Sequence, residues 1–364
     1  MLAARNGQPE CVQLLLAAGA SADVIDDRGQ TALMWASVKG NVEAVELLLK
    51  ANVERDRSLS TGFNALFFAA RGGYEDVVQI LLKDGADADS CISSKKSRGR
   101  LPRNGTSALR LAMENGHFEV AEMLLDAGAD PNTKRDGYTP LHVMSWVRKP
   151  RRGDGIDGAP PPRGSGQMTS LEFTESLIAR GADVNAQLEG GNEAMKNLSR
   201  RGASPFLFAA RTADLPLMKL LLAHDADPHL PNSQGRTPLL AAAGVALGPE
   251  ADEAASEADA IVAVNFLLSL GADIDHIDKH GDTVMHAAAY KQSPKLVHLL
   301  SEADADIAIW NKKNKAGWTP LIIAQGFRFG NYKPSAPTIA ALSEVMLAAG
   351  VEVPEARLKQ TESY

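Results

Sequence analysis

A segment of about 33 residues recurs along this chain of 364 residues, and each copy begins with glycine. The copy from Gly29 reads GQTALMWASVKGNVEAVELLLK, and the copy from Gly62 reads GFNALFFAARGGYEDVVQILLK. Later copies begin at Gly105, Gly137, Gly202, Gly235, Gly281 and Gly317, and a truncated copy opens the chain. Successive glycines are 33, 43, 32, 65, 33, 46 and 36 residues apart. Because one such unit cannot bury its own apolar face, the period predicts stacked repeats rather than two or three unrelated domains.

Each copy predicts two short helices followed by a polar hairpin loop. A threonine or serine before the first apolar run is a good helix N-cap, and the proline that often follows it is tolerated in a first turn. Small residues come next, such as Ala36 and Ala69, and they allow the paired helices to approach closely. The second helix carries apolar residues at helical spacing. Glycines in the left-handed conformation are expected to end it at Gly19, Gly85, Gly128, Gly181 and Gly271.

The clearest copies contain Thr139-Pro140-Leu141-His142 and Thr283-Val284-Met285-His286-Ala287-Ala288. These residues resemble the T-P-L-H-x-A signature of the ankyrin repeat. The resemblance implies an all-α ankyrin-repeat solenoid of about nine repeats with loop insertions. Residues 1–356 would form a single array, and residues 357–364 would form a polar C-terminal tail.

The residues in excess of a strict period predict insertions near 91–103, 151–167, 188–201, 248–259 and 329–337. Two insertions are basic, on a chain with a net charge of −7. Solvated loops are the favoured interpretation, and contact with an acidic partner or with the chain's own acidic surface is the alternative. Nucleic-acid binding is not favoured, because no base-stacking module accompanies the charge. The basic residues are Lys95, Lys96, Arg98, Arg100 and Arg103, and then Arg148, Lys149, Arg151, Arg152 and Arg163.

The truncated first copy leads us to expect that the natural protein begins further upstream. A secretory signal would be lost with that segment, so the compartment stays open between the cytoplasm and export. The longest uncharged stretches, 237–249 and 260–272, have 13 residues each, fewer than the roughly 20 of a membrane helix. We therefore expect a soluble, monomeric protein without a transmembrane segment.

The sequence shows no phosphate loop, nucleophile elbow or zinc-protease pattern, so we expect no enzyme activity, cofactor or metal. Cys11 occupies the position of Ala44 one repeat later, which predicts a buried structural thiol. Cys91 lies in a basic loop that could lower its pKa, although an inert loop thiol is preferred. The resemblance assigns His142 and His286 to hydrogen bonds between helix and hairpin.

Four residues of one loop superficially suggest a metal site, namely Asp275, His276, Asp278 and His280. Their hairpin would have to curl around one ion, and the neighbouring repeats add only His224 and His229. A polar hairpin is therefore the preferred interpretation.

Residues one position after the repeat glycines are expected near the hairpin tips, and residues nine or ten positions after them at the exposed end of the first helix. Aromatic residues and arginine concentrate binding energy at interfaces, and six of the 19 aromatic residues fall at these positions. The alternative is that some of them pack against insertions, Trp146 and Phe327 especially. Trp35 is expected in the core. The nine positions, which we call the predicted stripe, are Phe63, Arg71, Tyr138, Trp146, Arg211, Arg236, Tyr290, Trp318 and Phe327.

These observations predict a non-catalytic module that recognises a partner protein through its concave face and hairpin tips. Two other functions stay open. The chain could be the targeting portion of a larger enzyme, or an inhibitor of the immunity type that blocks a partner enzyme. The sequence does not identify the partner.

Overall fold

The computed structural model describes residues 1–93, 104–135, 137–149, 164–189, 199–244, 255–327 and 333–354. Contacts divide the chain into two compact units, which are Met1–Val147 with Pro161–Ala182 (unit 1), and Arg148–Pro160 with Asp183–Tyr364 (unit 2). Within the described residues the regular secondary structure is helical, as predicted, and one isolated antiparallel bridge joins Cys91 and Ser107. The uninterrupted array over residues 1–356 stays a prediction.

Unit 1 is built from pairs of helices. In each pair, a first helix is followed along the chain by a second helix. Its first helices pack on one another, α1 on α3, α3 on α5 and α5 on α7, and so do its second helices α2, α4, α6 and α8. The final residue of α9, Arg148, is assigned to unit 2. The helices are α1 (Leu2–Arg5), α2 (Pro9–Ala17), α3 (Ala32–Lys39), α4 (Val42–Lys50), α5 (Ala65–Gly72), α6 (Glu75–Lys83), α7 (Ala108–Glu114), α8 (Phe118–Asp126), α9 (Pro140–Arg148) and α10 (Ser170–Ala179).

Unit 2 repeats the same arrangement. Its first helices pack in the order α11, α13, α15 and α18, and its second helices include the closely packed α16 and α19. The short α17 lies in the loop before the last pair and buries Trp310. The helices are α11 (Pro205–Arg211), α12 (Leu215–Ala223), α13 (Pro238–Ala243), α14 (Glu257–Ser269), α15 (Val284–Lys291), α16 (Pro294–Glu302), α17 (Ile307–Trp310), α18 (Pro320–Ala324) and α19 (Ala336–Ala348).

The first helices begin where the sequence predicts, because a polar side chain caps them. Thr31 Oγ1 accepts a hydrogen bond from Met34 N at 3.2 Å, and Ser204 Oγ accepts one from Leu207 N at 3.2 Å. Such a cap satisfies an amide that has no partner within the helix and contributes about 1 kcal/mol. The predicted left-handed glycines after the second helices are confirmed, with φ between 81° and 97°.

The predicted hairpin loops connect the pairs, and two of the five predicted insertions, near 91–103 and 188–201, lie in them. Ile92 N donates to Thr106 O at 2.8 Å, and Leu188 N donates to Ala203 O at 3.2 Å, so both insertions enter and leave through a hairpin. The interiors of these insertions, and most of the one near 151–167, lie outside the described residues. The last two predicted insertions are partly helical, since residues 257–259 belong to α14 and residues 336–337 to α19.

The prediction of a buried Cys11 is wrong, because its side chain is exposed. Ala44 is buried because α4 packs between α2 and α6, whereas α2 has no earlier helix pair beside it. Leu14 and Leu15 show the same effect, with exposures of 70% and 51%, while Leu48 is 2% exposed one repeat later. Among the described helices, none is long and apolar enough to cross a membrane.

Alanine substitutions at two glycines of unit 1 distinguish the cost of backbone strain from the cost of steric overlap. Gly62 and Gly128 both have positive φ, 85° and 97°. A Cβ added at Gly62 would lie 2.7 Å from Ile92 Cγ2, whereas a Cβ at Gly128 would meet nothing within 4 Å. We expect Gly128→Ala to lower the free energy of unfolding by about 1 kcal/mol, and Gly62→Ala by roughly 2–4 kcal/mol, because overlap adds to strain. Urea unfolding followed by circular dichroism measures both, and equal losses would contradict this account.

Candidate functional site

The predicted stripe divides into accessible and buried residues. Arg71 is exposed, and six further members are half-buried with part of the side chain accessible. Phe63 and Arg236 are buried, so their predicted exposure at hairpin tips is wrong. The half-buried members are Tyr138, Trp146, Arg211, Tyr290, Trp318 and Phe327.

Phe63 is buried because its ring turns toward the helix that follows it. Its centroid lies 6.0 Å from that of Phe67 and 5.0 Å from that of Phe68, both on α5. The Phe63 ring therefore packs the hairpin onto its own helix, and 4% of the residue's surface stays exposed.

Arg236 is buried because the next hairpin supplies its counter-charge. Its Nε donates to Asp278 Oδ2 at 2.9 Å, its Nη1 donates to Gln234 Oε1 at 3.1 Å, and its Nη2 lies 3.8 Å from Asp282 Oδ2. A buried guanidinium needs such partners to offset the loss of water. Arg236 is thus a structural link between hairpins.

The accessible members in unit 1 gather around a residue that the sequence analysis missed, Arg110. The Tyr138 and Trp146 rings meet edge to face at 5.0 Å, and the Arg110 guanidinium carbon lies 5.8 Å and 5.4 Å from their centroids. Arg110 also forms an ion pair with Glu114 at 2.9 Å. We call these three residues the Arg110 cluster. Arg110 and Tyr138 also border a shallow cleft that Thr133 and Val143 line.

A sequence signal for Arg110 existed. It lies five residues after Gly105, the same offset at which His142 follows Gly137. The histidine position of the signature reaches toward the next hairpin, and an arginine there reaches the rings of the next repeat.

Arg71 lies near the end of α5, in the repeat that precedes the one containing Arg110. Its carbonyl accepts a hydrogen bond from His117 Nε2 at 3.1 Å, and His117 Nδ1 lies 2.9 Å from Ser165 Oγ. Partial burial lowers the pKa of His117. The end of one first helix is therefore held by the turn of the following repeat, while the Arg71 side chain stays exposed.

In unit 2, Asn314 ties together Tyr290 and Trp318. Its Nδ2 donates to Asp282 Oδ1 at 2.8 Å and to Tyr290 Oη at 3.2 Å, and its Oδ1 accepts from Trp318 N at 3.1 Å. Burial and the nearby Asp282 charge raise the pKa of Tyr290 well above its usual range. Tyr290 thus stays neutral, with its hydroxyl engaged and the edge of its ring accessible.

The role that the resemblance implies for His286 is confirmed. Its Nδ1 accepts from Thr283 N at 3.2 Å, and its Nε2 lies 3.1 Å from Lys312 O and 3.2 Å from Trp318 O. Burial lowers its pKa to about 4. His142 makes the corresponding contact with Thr139 Oγ1 at 2.6 Å.

The residues that suggested a metal site serve the hairpin instead. His276 Nε2 lies 2.6 Å from Gly235 O, and His280 Nε2 lies 3.3 Å from Gln234 Nε2. Asp275 Oδ1 accepts from Asp306 N at 2.9 Å. In the described parts of the chain, no three His, Cys, Asp or Glu side chains are grouped for a metal ion.

Trp35 is not a core residue, contrary to prediction. It is half-buried, its Nε1 donates to Asp26 Oδ2 at 3.1 Å, and the Arg5 guanidinium lies 4.5 Å from its ring centroid. The hairpin carboxylate holds the indole at the surface.

The described residues of the second basic segment bind the chain's own acidic side chains. Arg148 Nε lies 2.7 Å from Asp214 Oδ2, and Lys149 Nζ lies 3.1 Å from Asp259 Oδ2. The other basic residues of the two insertions lie outside the described residues.

Two family models match this chain. The family model described as ankyrin repeats in three copies matches residues 1–92 and 253–333, and the model of the single ankyrin repeat matches residues 104–135. A putative palmitoyltransferase, ZDHHC13 of Danio rerio, is 29% identical over 139 residues, which is 35% of this chain and 19% of that protein. The chain therefore corresponds to a small part of that relative. The crystal structure of the human ASB11 ankyrin repeat domain aligns with 72% of this chain and 95% of its own, at 20% identity and a TM-score of 0.48.

Two buried groups of unit 2, Asp282 and His286, make the free energy of unfolding depend on pH in opposite directions. Burial and the adjacent Asp278 charge raise the pKa of Asp282 to about 6, so its contribution to stability is lost as pH rises from about 4 to 6. The lowered pKa of His286 has the reverse effect, because the unfolded chain binds the proton more tightly, so stability is lost as pH falls from about 6.5 to 4.

The variant Asp282→Asn removes the pH dependence that Asp282 causes and keeps the one that His286 causes. We expect its free energy of unfolding to increase by about 2 kcal/mol more than that of the unsubstituted protein between pH 4 and pH 6. Urea titrations at several pH values measure this difference. Parallel profiles for the two proteins would contradict the assignment to Asp282.

Proposed function

This chain belongs to the ankyrin-repeat family, and on that basis we propose that it recognises a partner protein through the accessible members of the predicted stripe. Ankyrin repeats generally mediate protein–protein interaction. We propose recognition rather than catalysis as the activity of these residues. Phe63 and Arg236 are not part of the proposed surface, because both are buried.

The observation that carries the proposal is the Arg110 cluster. Two half-buried aromatic rings and a guanidinium are locked against one another at the edge of a cleft. Tyrosine, tryptophan and arginine dominate binding energy at protein interfaces. Rings that are already held in place lose little conformational entropy on binding, which favours affinity.

Unit 2 supplies a second, separately built group. Tyr290 and Trp318 are positioned by Asn314, while Arg211 and Phe327 are half-buried at the ends of their helices. These residues support the same proposal through an independent set of contacts.

A second candidate function is that of a targeting portion of a larger enzyme. The match to a short part of the putative palmitoyltransferase favours it, since that relative combines a similar segment with much additional chain. We propose that this chain would supply recognition to such an enzyme and not the acyl transfer. An inhibitor of a partner enzyme would use the same surface.

The test is affinity capture from an extract of the source organism, followed by mass spectrometry. The variant carries Trp146→Ala and Trp318→Ala, and we expect it to lose at least about 90% of the captured partner. The matched control carries Val262→Ala and Leu347→Ala, two exposed apolar residues on second helices, and it should capture normally. Unchanged capture by the first variant, with circular dichroism showing a folded protein, would refute the proposed surface.

A further inference from the structure

The two helix layers of unit 1 carry opposite charges. We define the first-helix layer as α1, α3, α5, α7 and α9 up to Val147, and the second-helix layer as α2, α4, α6, α8 and α10. The first-helix layer carries four basic residues and one acidic residue, whereas the second-helix layer carries two basic and ten acidic residues. The basic residues of the first-helix layer are Arg5, Lys39, Arg71 and Arg110.

The helix dipole accounts for part of this pattern and leaves part of it unexplained. It favours cations near the last turn, where Arg5, Lys39 and Arg71 lie. Arg110 lies in the first turn of α7 and its partner Glu114 in the last, which is the unfavourable orientation for both charges. A cation at position 110 is therefore better explained by the Tyr138 and Trp146 rings that it faces than by the stability of α7.

The exposed cations lie in neighbouring repeats at the same end of packed helices. Lys39 ends α3 and Arg71 precedes the final residue of α5, two helices that pack directly on each other. Both side chains are exposed. The single carboxylate of this layer, Glu114, is paired with Arg110. The row of helix ends continues through Glu114, the last residue of α7, to Trp146 in the last turn of α9.

We propose that the first-helix layer of unit 1 binds an acidic polypeptide segment. Its carboxylates face Lys39 and Arg71, and one apolar side chain contacts the accessible parts of the Tyr138 and Trp146 rings. This inference rests on the proposed recognition function and adds the chemistry of the partner. Charge complementarity of this kind sets specificity and speeds association, and the acidic second-helix layer repels the same segment from the opposite side of the unit.

A peptide suits this surface better than a nucleic acid. The cations are one per repeat rather than a continuous patch, and the rings available for stacking are half-buried against Arg110. The remainder of an acidic chain would oppose a long polyanion, whereas a few carboxylates on a short segment meet the local cations.

Fluorescence anisotropy with the full chain tests the inference. The probe is a labelled peptide of alternating glutamate and serine with one central phenylalanine, and its matched control replaces each glutamate by glutamine. We expect the glutamate peptide to bind about tenfold more tightly at low salt, with the difference shrinking as salt screens the charges. The variant Lys39→Gln with Arg71→Gln should weaken glutamate-peptide binding about tenfold.

The control variant is Lys50→Gln with Lys83→Gln, which changes the net charge equally on exposed lysines of the second-helix layer. It should change affinity by less than about twofold. Equal losses in both variants, or equal affinity for both peptides, would overturn the inference. Tighter binding of a single-stranded thymidine oligonucleotide that is lost in the first variant would also overturn it, in favour of nucleic acid.

Failure of this inference is distinguishable from failure of the proposed function. If both peptides bind equally and Trp146→Ala abolishes both, the recognition surface stands and the acidic chemistry is wrong. If partner capture survives the loss of Trp146 and Trp318, the recognition surface itself fails.

Discussion

Close contact between neighbouring first helices is the interaction on which the rest of this structure depends. One alanine recurs seven residues after the repeat glycine in most copies, and Ala36, Ala69 and Ala112 are completely buried in unit 1. A larger side chain there would push adjacent helices apart, because protein interiors are packed too tightly to absorb it. Alanine occupies this position in seven of the eight copies that begin with glycine.

The alanines of the first helices pack against the neighbouring first helices, so other side chains of these helices are available for recognition. Their ends carry Lys39, Arg71 and Trp146, and the carbonyl of Arg71 is held by His117 of the next repeat. Each repeat therefore contributes both a structural contact and a surface residue, and specificity arises from which residue each repeat presents. The Arg110 cluster shows how this works, since a residue of one repeat fixes the rings of the next.

The repeat pattern predicted the fold well because each element rests on local chemistry. Caps such as Thr31 and the left-handed glycines follow from neighbouring residues in the sequence, whereas the role of His286 followed from the resemblance. The prediction for Phe63 is wrong because its ring packs on its own helix α5, and other errors arise where a residue is held by a hairpin outside its own helix. Arg236 is buried by Asp278, a residue 42 positions away, and Trp35 is drawn to the surface by Asp26. Arg110 occupies the histidine position of the signature, but its contacts with Tyr138 and Trp146 were missed because both rings belong to the following repeat.

A photoreactive residue at one of two exposed positions of the same repeat tests the central claim that the first helices form the binding surface. Arg71 lies on α5 and Lys83 lies on α6, so the two variants share their fold and differ in the layer that carries the probe. The account predicts a cross-linked partner from position 71 and none from position 83 after irradiation in an extract of the source organism. Cross-linking from position 83 alone would contradict it.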